Sequence, residues 1–268
     1  MEKIMILHRQ SGIVDLAMRC ELAAHLSSPS QRARVITEAW VEDNMYCPAC
    51  RCDELVPMPR GTKLVDFRCA DCAEGFQVKS KKHGFGRKAL DSAWGPMEEA
   101  VARGDAPGFM FLQYNLEACR VADLFVVPGH FVTPMVIERR RPLGPSAQRH
   151  GWIGCNILLD RIAAGARIPV VELGAIRRSV EVRNLWRRFA FIKEAKPSDR
   201  GWTGDVLSCV QRLGKETFDL DEMYGFESEL AKRHPRNRNV RPKIRQQLQV
   251  LRDHGVLDFL GRGEYQLR

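Results

Sequence analysis

Two pairs of cysteines constrain the fold of this 268-residue chain more than any other feature of its sequence. Cys47 and Cys50 form one C-x2-C pair, Cys69 and Cys72 form a second, and eighteen residues separate them. This spacing is typical of a structural zinc site with four thiolate ligands, in which the metal joins two segments of the chain. Cys52 is an alternative to Cys50, and reduced thiols without a metal are the alternative to zinc. The spacing predicts a tetrahedral four-cysteine site that is closed to chemistry.

The remaining cysteines and the apolar pattern indicate the compartment. Nine cysteines, an odd number in a long chain, argue against the disulfide framework of a secreted protein. No apolar run approaches the roughly 20 residues of a membrane span, and the N-terminus has no secretory signal pattern. We therefore expect a soluble, cytoplasmic protein without a membrane partner. The cysteines outside the pairs are predicted to be buried thiols, namely Cys20, Cys119, Cys155 and Cys209.

A group of polar residues interleaves with the cysteine pairs. Successive side chains of a strand point to opposite faces, so Gln77 and Lys79 lie on one face of a predicted strand and their apolar neighbours on the other. A hairpin with the short apolar segment around Asp66 brings that carboxylate beside them. Hard oxygen ligands suit a divalent cation, and an ammonium group stabilises negative charge as water attacks phosphorus. The trio therefore suits phosphodiester hydrolysis, although surface strands often carry such residues.

The basic residues are concentrated near the C-terminus. A formal charge of +9 fits a protein that binds a polyanion, and residues 231–252 contain Lys and Arg but no acid. A helix predicted over 239–253 has one apolar stripe and an opposite face of Arg and Gln, which suit phosphates and base edges in a major groove. The predicted DNA-binding residues on this face are Arg238, Arg241, Arg245, Gln249 and Arg252.

The C-terminal elements predict a winged helix. Helices are expected at 203–213, 221–233 and 239–253, followed by two short strands around a Gly-Arg-Gly turn. Arg262, at the tip of that turn, joins the predicted DNA-binding residues. A helical protein-interaction module with a solvated basic face is the alternative. The segment 195–200, in which Pro, Ser and charge interrupt the apolar pattern, is the predicted domain boundary.

The region before this boundary is predicted to be a mixed α/β domain. Apolar runs at 108–114, 124–127 and 168–173 are typical of buried strands. The predicted helices, at 13–26, 31–44, 90–103 and 184–191, would cover these strands. Residues 130–156 are predicted to be a long irregular segment. Trp152 lies in this segment, and we expect it to stack on a base or to detect a methyl group. Packing in the domain core is the alternative.

Five short segments occur together in the order found in a known family. They are SQRARVITEAW at residues 30–40, FVTP at 131–134, GWIGCN at 151–156, RGW at 200–202 and KIRQQLQ at 243–249. With these segments the chain resembles the DpnI-like family of methyl-directed type II restriction endonucleases, over nearly everything after about residue 30. The resemblance implies a PD-(D/E)XK nuclease domain with an inserted zinc ribbon, residues 1–195, and a winged-helix domain, residues 196–268.

The resemblance also implies an activity and assigns residues to it. We expect magnesium- or manganese-dependent cleavage of double-stranded DNA at GATC when the adenine carries an N6-methyl group, by a monomer. Asp66 matches the metal-binding Asp of the family, Gln77 its Glu and Lys79 its catalytic Lys. The two cysteine pairs match its zinc ligands. Trp152 matches a tryptophan that lies near the methyl groups in the family.

Gln77 departs from the family pattern, which has an acid at this position. A Gln carbonyl is still a hard ligand, but the site loses one negative charge, so magnesium should bind more weakly. We expect retained cleavage with a raised magnesium requirement or better activity in manganese. Asp71 and Glu74 are expected on the surface of the zinc hairpin. Two alternatives stay open, a non-cleaving reader of methylated DNA with a decayed nuclease fold and a zinc-ribbon winged-helix regulator.

Overall fold

A computed structural model describes residues 14–268, with the backbone alone at 197 and 198. The helices are α1 Pro29–Asn44, α2 Trp94–Arg103, α3 Ser179–Arg187, α4 Ala190–Glu194, α5 Pro197–Arg212, α6 Leu220–Tyr224, α7 Glu227–Arg233 and α8 Val240–Asp253. The strands are β1 Leu55–Pro57, β2 Phe67–Cys69, β3 Gly75–Lys81, β4 Lys88–Ala93, β5 Gly108–Asn115, β6 Arg120–Val127, β7 Ile137–Arg139, β8 Gly154–Leu158, β9 Ile168–Glu172, β10 Ala175–Ile176, β11 Thr217–Asp219, β12 Leu257–Gly261 and β13 Glu264–Leu267. The predicted mixed α/β fold is confirmed.

The chain forms two compact units, each assembled from separate stretches. The first unit contains the described residues up to Ser92, together with Pro107–Gly129 and Arg167–Arg187. The second unit contains Ala93–Ala106, His130–Ala166 and Arg188–Arg268. No described helix is both long enough and apolar enough to cross a membrane.

A seven-stranded mixed sheet forms the centre of the first unit, in the order β1-β2-β3-β5-β6-β9-β10. Among these described neighbours, only β3 and β5 pair in parallel. On one side of the sheet, α1 contributes the buried Ile36 and Trp40, and Trp186 of α3 packs against Phe76 with ring centroids 5.9 Å apart. The predicted strands at 108–114, 124–127 and 168–173 and the helix at 31–44 are confirmed.

The prediction of a helix at 13–26 is wrong for the described residues, and Ile13 lies outside them. Val14, Leu16 and Met18 are buried at alternate positions, and Ala17 forms an antiparallel bridge with Arg120, so this stretch is extended. A single 3-10 turn follows at Cys20–Ala23. The segment is apolar at spacings compatible with both a helix and a strand, and pairing with the sheet decides between them.

The prediction of unbonded thiols is also wrong for one pair of cysteines. A disulfide joins Cys20 to Cys119 and ties the extended N-terminal stretch to the start of β6. Cys155 and Cys209 are buried, reduced thiols, as predicted.

Two further segments differ from the prediction. The helix predicted at 90–103 begins only at Trp94, because residues 88–93 form β4, where Ala89 and Asp91 are buried and Lys88 and Leu90 are exposed. The segment 130–156 is less irregular than predicted, since β7 and β8 pair antiparallel within it. The helix predicted at 184–191 occurs as α3 and α4, with a break between them.

The C-terminal part of the second unit has the predicted winged-helix elements. Strands β12 and β13 flank the Gly-Arg-Gly turn and pair with each other, and β13 also pairs with a third strand, β11, that was not predicted. A buried hydrogen bond of 2.6 Å from the Thr203 hydroxyl to Gln247 joins α5 to α8. The helix predicted at 221–233 is interrupted at residues 225–226 and forms α6 and α7. A capping box between Asp219 and Glu222 begins α6.

Candidate active site and DNA-binding surface

A hairpin between β2 and β3 positions the Asp66 carboxylate. The Asp66 N–H donates to the Phe76 carbonyl (2.8 Å), and Asp66 Oδ2 accepts a hydrogen bond from the Val78 N–H (2.8 Å). Asp66 is thereby fixed beside the strand residues on either side of Val78, as the sequence predicted.

Gln77 lies in β3 between Phe76 and Val78, the two residues whose backbones form hydrogen bonds with Asp66. Its side chain is buried, and within residues 14–268 its Oε1 has no hydrogen-bond partner. Leaving a buried carbonyl oxygen without a partner costs about 1–3 kcal/mol, so this oxygen is suited to accept a ligand. A hard divalent cation held by the Asp66 carboxylate and this amide oxygen would satisfy it. The residues therefore fit a magnesium or manganese ion.

Lys79 is held by an acid that the sequence analysis missed. Its Nζ lies 2.5 Å from Asp91 Oδ1, the Asp91 side chain is fully buried, and that of Lys79 is 15% exposed. Nζ also lies 6.0 Å from the centre of the Phe109 ring. No sequence pattern signals this pair, because the apolar Leu90 of β4 is exposed whereas the acid that follows it is buried.

The four cysteine sulfurs lie together as the spacing predicted. All four Sγ atoms are within 4.8 Å of one another, with 3.6 Å between the Sγ atoms of Cys47 and Cys72 and 3.5 Å between those of Cys50 and Cys69. A tetrahedral site with metal–sulfur bonds of about 2.3 Å has edges of roughly 3.8 Å, so this cluster could hold a metal ion such as zinc. Cys52 lies outside the cluster, and its thiol donates to the Glu54 carbonyl.

Burial and hydrogen bonding have opposite effects on the pKa values of these thiols. Burial raises the pKa of Cys47 above its usual range and raises the pKa of Cys72 to about 11. Burial also opposes ionisation of Cys69, but hydrogen bonds from the Cys72 and Asp71 backbones and from the Cys50 thiol lower its pKa to about 7. A bound metal would stabilise all four thiolates at once.

Arg183 of α3 forms hydrogen bonds with the loop that carries Cys47 and Cys50, and no sequence pattern indicated these contacts. Its guanidinium donates to the Cys47 carbonyl (3.1 Å), the Cys52 carbonyl (3.1 Å) and the Asp53 carboxylate (2.7 Å). It also lies 4.8 Å from the centre of the Tyr46 ring. The loop that carries the first cysteine pair is therefore fixed to the α-helical side of the sheet.

Helix α8 has the predicted division between an apolar and a basic face. Val240, Ile244, Leu248 and Leu251 are buried, as is Gln247. Arg241, Arg245 and Gln249 are exposed on the opposite face and Arg238 is exposed just before the helix begins, while Arg252 is half-buried and donates to Asp253. Arg262 is exposed at the tip between β12 and β13 and has a left-handed φ of 51°.

A basic cleft opens beside the start of α8. Its volume is 710 Å³, and its lining includes Arg233, Arg236, Arg238 and Lys243. On one side, Trp202 stacks on His234 with ring centroids 4.1 Å apart, and the buried Asp205 accepts a hydrogen bond from the Thr133 hydroxyl and pairs with His234 (both 2.7 Å). The Asp199 carboxylate also lines the cleft and pairs with Lys243 (2.6 Å), so the lining has mixed charge with an excess of basic residues.

Trp152 is half-buried in the connection between β7 and β8. The Arg149 guanidinium lies 4.9 Å from the centre of its ring. The ring also covers Gly154, where a Cβ atom would come within 2.7 Å of it, so the close approach requires glycine. Trp152 is therefore packed within the second unit and stays partly exposed.

These features define a mixed α/β protein with a C-terminal winged-helix domain. Residues 14–195 match the model of the Dam-replacing family, DpnI, and residues 198–267 match that of the Dam-replacing HTH domain. The chain belongs to this family, which confirms the resemblance found in the sequence. Family membership supports a methyl-directed, restriction-type nuclease that binds DNA.

Asp91→Asn tests the buried ion pair by leaving the Lys79 ammonium without its carboxylate. We expect the free energy of unfolding to fall by about 2 kcal/mol, below the usual cost of breaking a buried pair because Lys79 keeps some exposure. Adding Lys79→Met removes the isolated charge and should recover at least half of this loss. Urea denaturation measures the free energy of unfolding of the wild type, of Asp91→Asn and of the double variant. A double variant that is less stable than Asp91→Asn alone would contradict the pairing.

Cys69→Ser tests the metal cluster. We expect loss of bound metal by elemental analysis and a lower unfolding temperature, because one ligand is removed and the thiolates are no longer stabilised. The matched control is Cys52→Ser, which changes a neighbouring thiol outside the cluster and should retain the metal. A Cys69→Ser chain with wild-type metal content and stability would show that the cluster is not a metal site.

Proposed function

We propose that this chain is a type II restriction endonuclease that hydrolyses double-stranded DNA at GATC sites carrying N6-methyladenine. The observation that carries the proposal is the Asp66 hairpin, in which a fixed carboxylate lies beside β3, the strand that carries an unsatisfied amide oxygen and a largely buried ammonium group, in a member of a DNA-restricting family. Convergence of an oxygen pair and a cation is what phosphodiester hydrolysis requires.

Three side chains carry the chemistry in this proposal. Asp66 and Gln77 hold a magnesium or manganese ion, which when bound polarises the scissile phosphate and makes its water more acidic. Lys79 Nζ orients the attacking water and stabilises the negative charge that develops on the phosphate. Asp91 positions Nζ for both tasks. The Phe109 ring beside Nζ limits access of bulk water to the ammonium group.

The other predicted sites support this centre. Cys47, Cys50, Cys69 and Cys72 hold a structural zinc ion, and the second pair follows Asp66 by three residues, so the metal also stabilises the catalytic hairpin. Trp152 and the exposed basic residues of α8 and the wing, including Arg262, contact methylated DNA. We place the domain boundary at residues 195–196, which the gap between the two family matches supports, and expect a monomer.

Gln77 favours a second candidate function, a reader of methylated DNA that does not cleave it. The neutral amide removes one negative charge from the cation site. A chain with weak metal affinity would keep the basic α8 face and the basic cleft, which suffice for binding. The two candidates differ in one measurable property, cleavage.

Cleavage of one plasmid, prepared with and without adenine methylation at GATC, distinguishes the candidates. We expect magnesium- or manganese-dependent cutting of the methylated form alone, because the family acts on methylated DNA. Lys79→Ala should abolish cutting without abolishing DNA binding, since it removes the ammonium group and leaves α8 intact. If the methylated plasmid is bound but stays uncut at every metal concentration, the reader function replaces the nuclease.

Gln77→Glu tests the effect of the missing charge. We expect the magnesium concentration for half-maximal cleavage to fall about tenfold, equivalent to about 1.4 kcal/mol of ion binding, because a carboxylate replaces a neutral oxygen. Gln266→Glu, which adds the same charge to β13, controls for repulsion of DNA and should not change the metal requirement. Equal magnesium requirements for Gln77→Glu and the wild type would exclude Gln77 as a ligand.

A further inference from the structure

One tyrosine contacts two of the arginines on the exposed face of α8. Tyr224, the last residue of α6, has the Arg241 and Arg245 guanidinium carbons 4.9 Å and 5.6 Å from its ring centre. The Tyr224 hydroxyl also accepts a hydrogen bond from Arg245 Nε. The tyrosine is half-buried, whereas both arginines are exposed. Its ring and hydroxyl therefore hold side chains that would otherwise move freely on the surface.

The two arginines are held in different ways. Arg241 Nε donates to the Glu227 carboxylate (2.7 Å), so a charged group already occupies it. Arg245 is engaged through Nε by a neutral hydroxyl, and within residues 14–268 no hydrogen bond involves its two Nη groups. A fixed guanidinium with two free Nη groups is suited to bidentate contact with O6 and N7 of a guanine, the commonest specific contact in a major groove.

We propose that Tyr224 is a positioning residue that sets the sequence selectivity of the winged-helix domain by presenting Arg245 to a guanine. This inference rests on the proposed DNA binding by α8. Fixing the guanidinium before DNA arrives reduces the side-chain entropy lost on binding, and the benefit applies only where the fixed geometry meets a matching base. Tyr224 therefore contributes to discrimination between sequences more than to affinity for DNA in general.

The experiment measures binding by the full-length chain in a Lys79→Ala background, which prevents cleavage. Fluorescence anisotropy compares a duplex with one methylated GATC site and the same duplex with 7-deazaguanine at the GATC guanines, which lacks the N7 acceptor. We expect the Lys79→Ala chain to bind the 7-deazaguanine duplex about tenfold more weakly. Adding Tyr224→Phe should lower affinity for the normal duplex about fivefold and reduce the 7-deazaguanine penalty to about twofold.

Salt dependence separates base reading from phosphate contact. Loss of a phosphate contact reduces the slope of log affinity against log salt by about one, whereas loss of a base contact leaves it unchanged. Tyr224→Phe should therefore keep the slope of the Lys79→Ala chain. A merely structural role would instead lower affinity for both duplexes equally and leave the 7-deazaguanine penalty intact.

Three control variants complete the design. Arg245→Lys should reproduce the loss of the 7-deazaguanine penalty, and Tyr224→Phe should add little to it because both act through one contact. Arg241→Lys should weaken binding but retain the penalty. Tyr114→Phe, which removes a hydroxyl from β5, should behave as the Lys79→Ala chain. Unfolding temperatures confirm that each variant is folded.

The outcomes separate the inference from the function on which it rests. If the Lys79→Ala chain does not prefer methylated GATC over a scrambled duplex, the proposed DNA recognition fails. If it does prefer GATC but shows no 7-deazaguanine penalty, or if folded Tyr224→Phe retains that penalty, only the role of Tyr224 is overturned. Additive losses for Tyr224→Phe and Arg245→Lys would likewise overturn it.

Discussion

The hydrogen bond from the Val78 N–H to Asp66 Oδ2 determines the geometry on which the candidate active site depends. It is made possible by the antiparallel register of β2 and β3, in which Phe67 lies opposite Phe76. A shift of this register by one residue would turn Gln77 and Lys79 to the α1 side of the sheet and Phe76 away from the core. The burial of Phe76 against Trp186 therefore fixes the face on which the polar residues lie.

The cysteine cluster stabilises the same hairpin from its other end. Cys69 ends β2 and its N–H donates to the Glu74 carbonyl, so the second cysteine pair lies within the turn that joins β2 to β3. Arg183 fixes the loop with the first pair. A metal that joins the pairs would link two separate segments of the chain, and so reduce the freedom of the turn between β2 and β3.

The site residues that local sequence could predict are those whose signal lies within a few positions. The C-x2-C pairs and the alternation around Gln77 are such signals, and the structure brings both groups together. Asp91 was missed because β4 is short and continues directly into α2, so the helical pattern of 94–103 extended the prediction too far. Arg183 and Tyr224 act through tertiary contacts, for which a single sequence contains no local pattern.

The same limit explains the errors in the fold. The stretch around Val14 and Leu16 is extended because it bridges to β6, and this pairing involves residues about a hundred positions away. Long apolar runs were predictable because burial on both faces leaves no other pattern, as in β5 and β6.

In the proposed function, Lys79 and Arg245 meet one requirement, a cation fixed before the substrate arrives, under opposite conditions of burial. Lys79 is nearly buried, and there only a carboxylate such as Asp91 offsets the cost of an isolated ammonium. Arg245 is exposed, so solvent stabilises its charge and a neutral tyrosine is enough to orient it. A carboxylate at that position would occupy the guanidinium, as the Glu227 carboxylate does at Arg241. The neutral partner therefore leaves the charge of Arg245 available to a base.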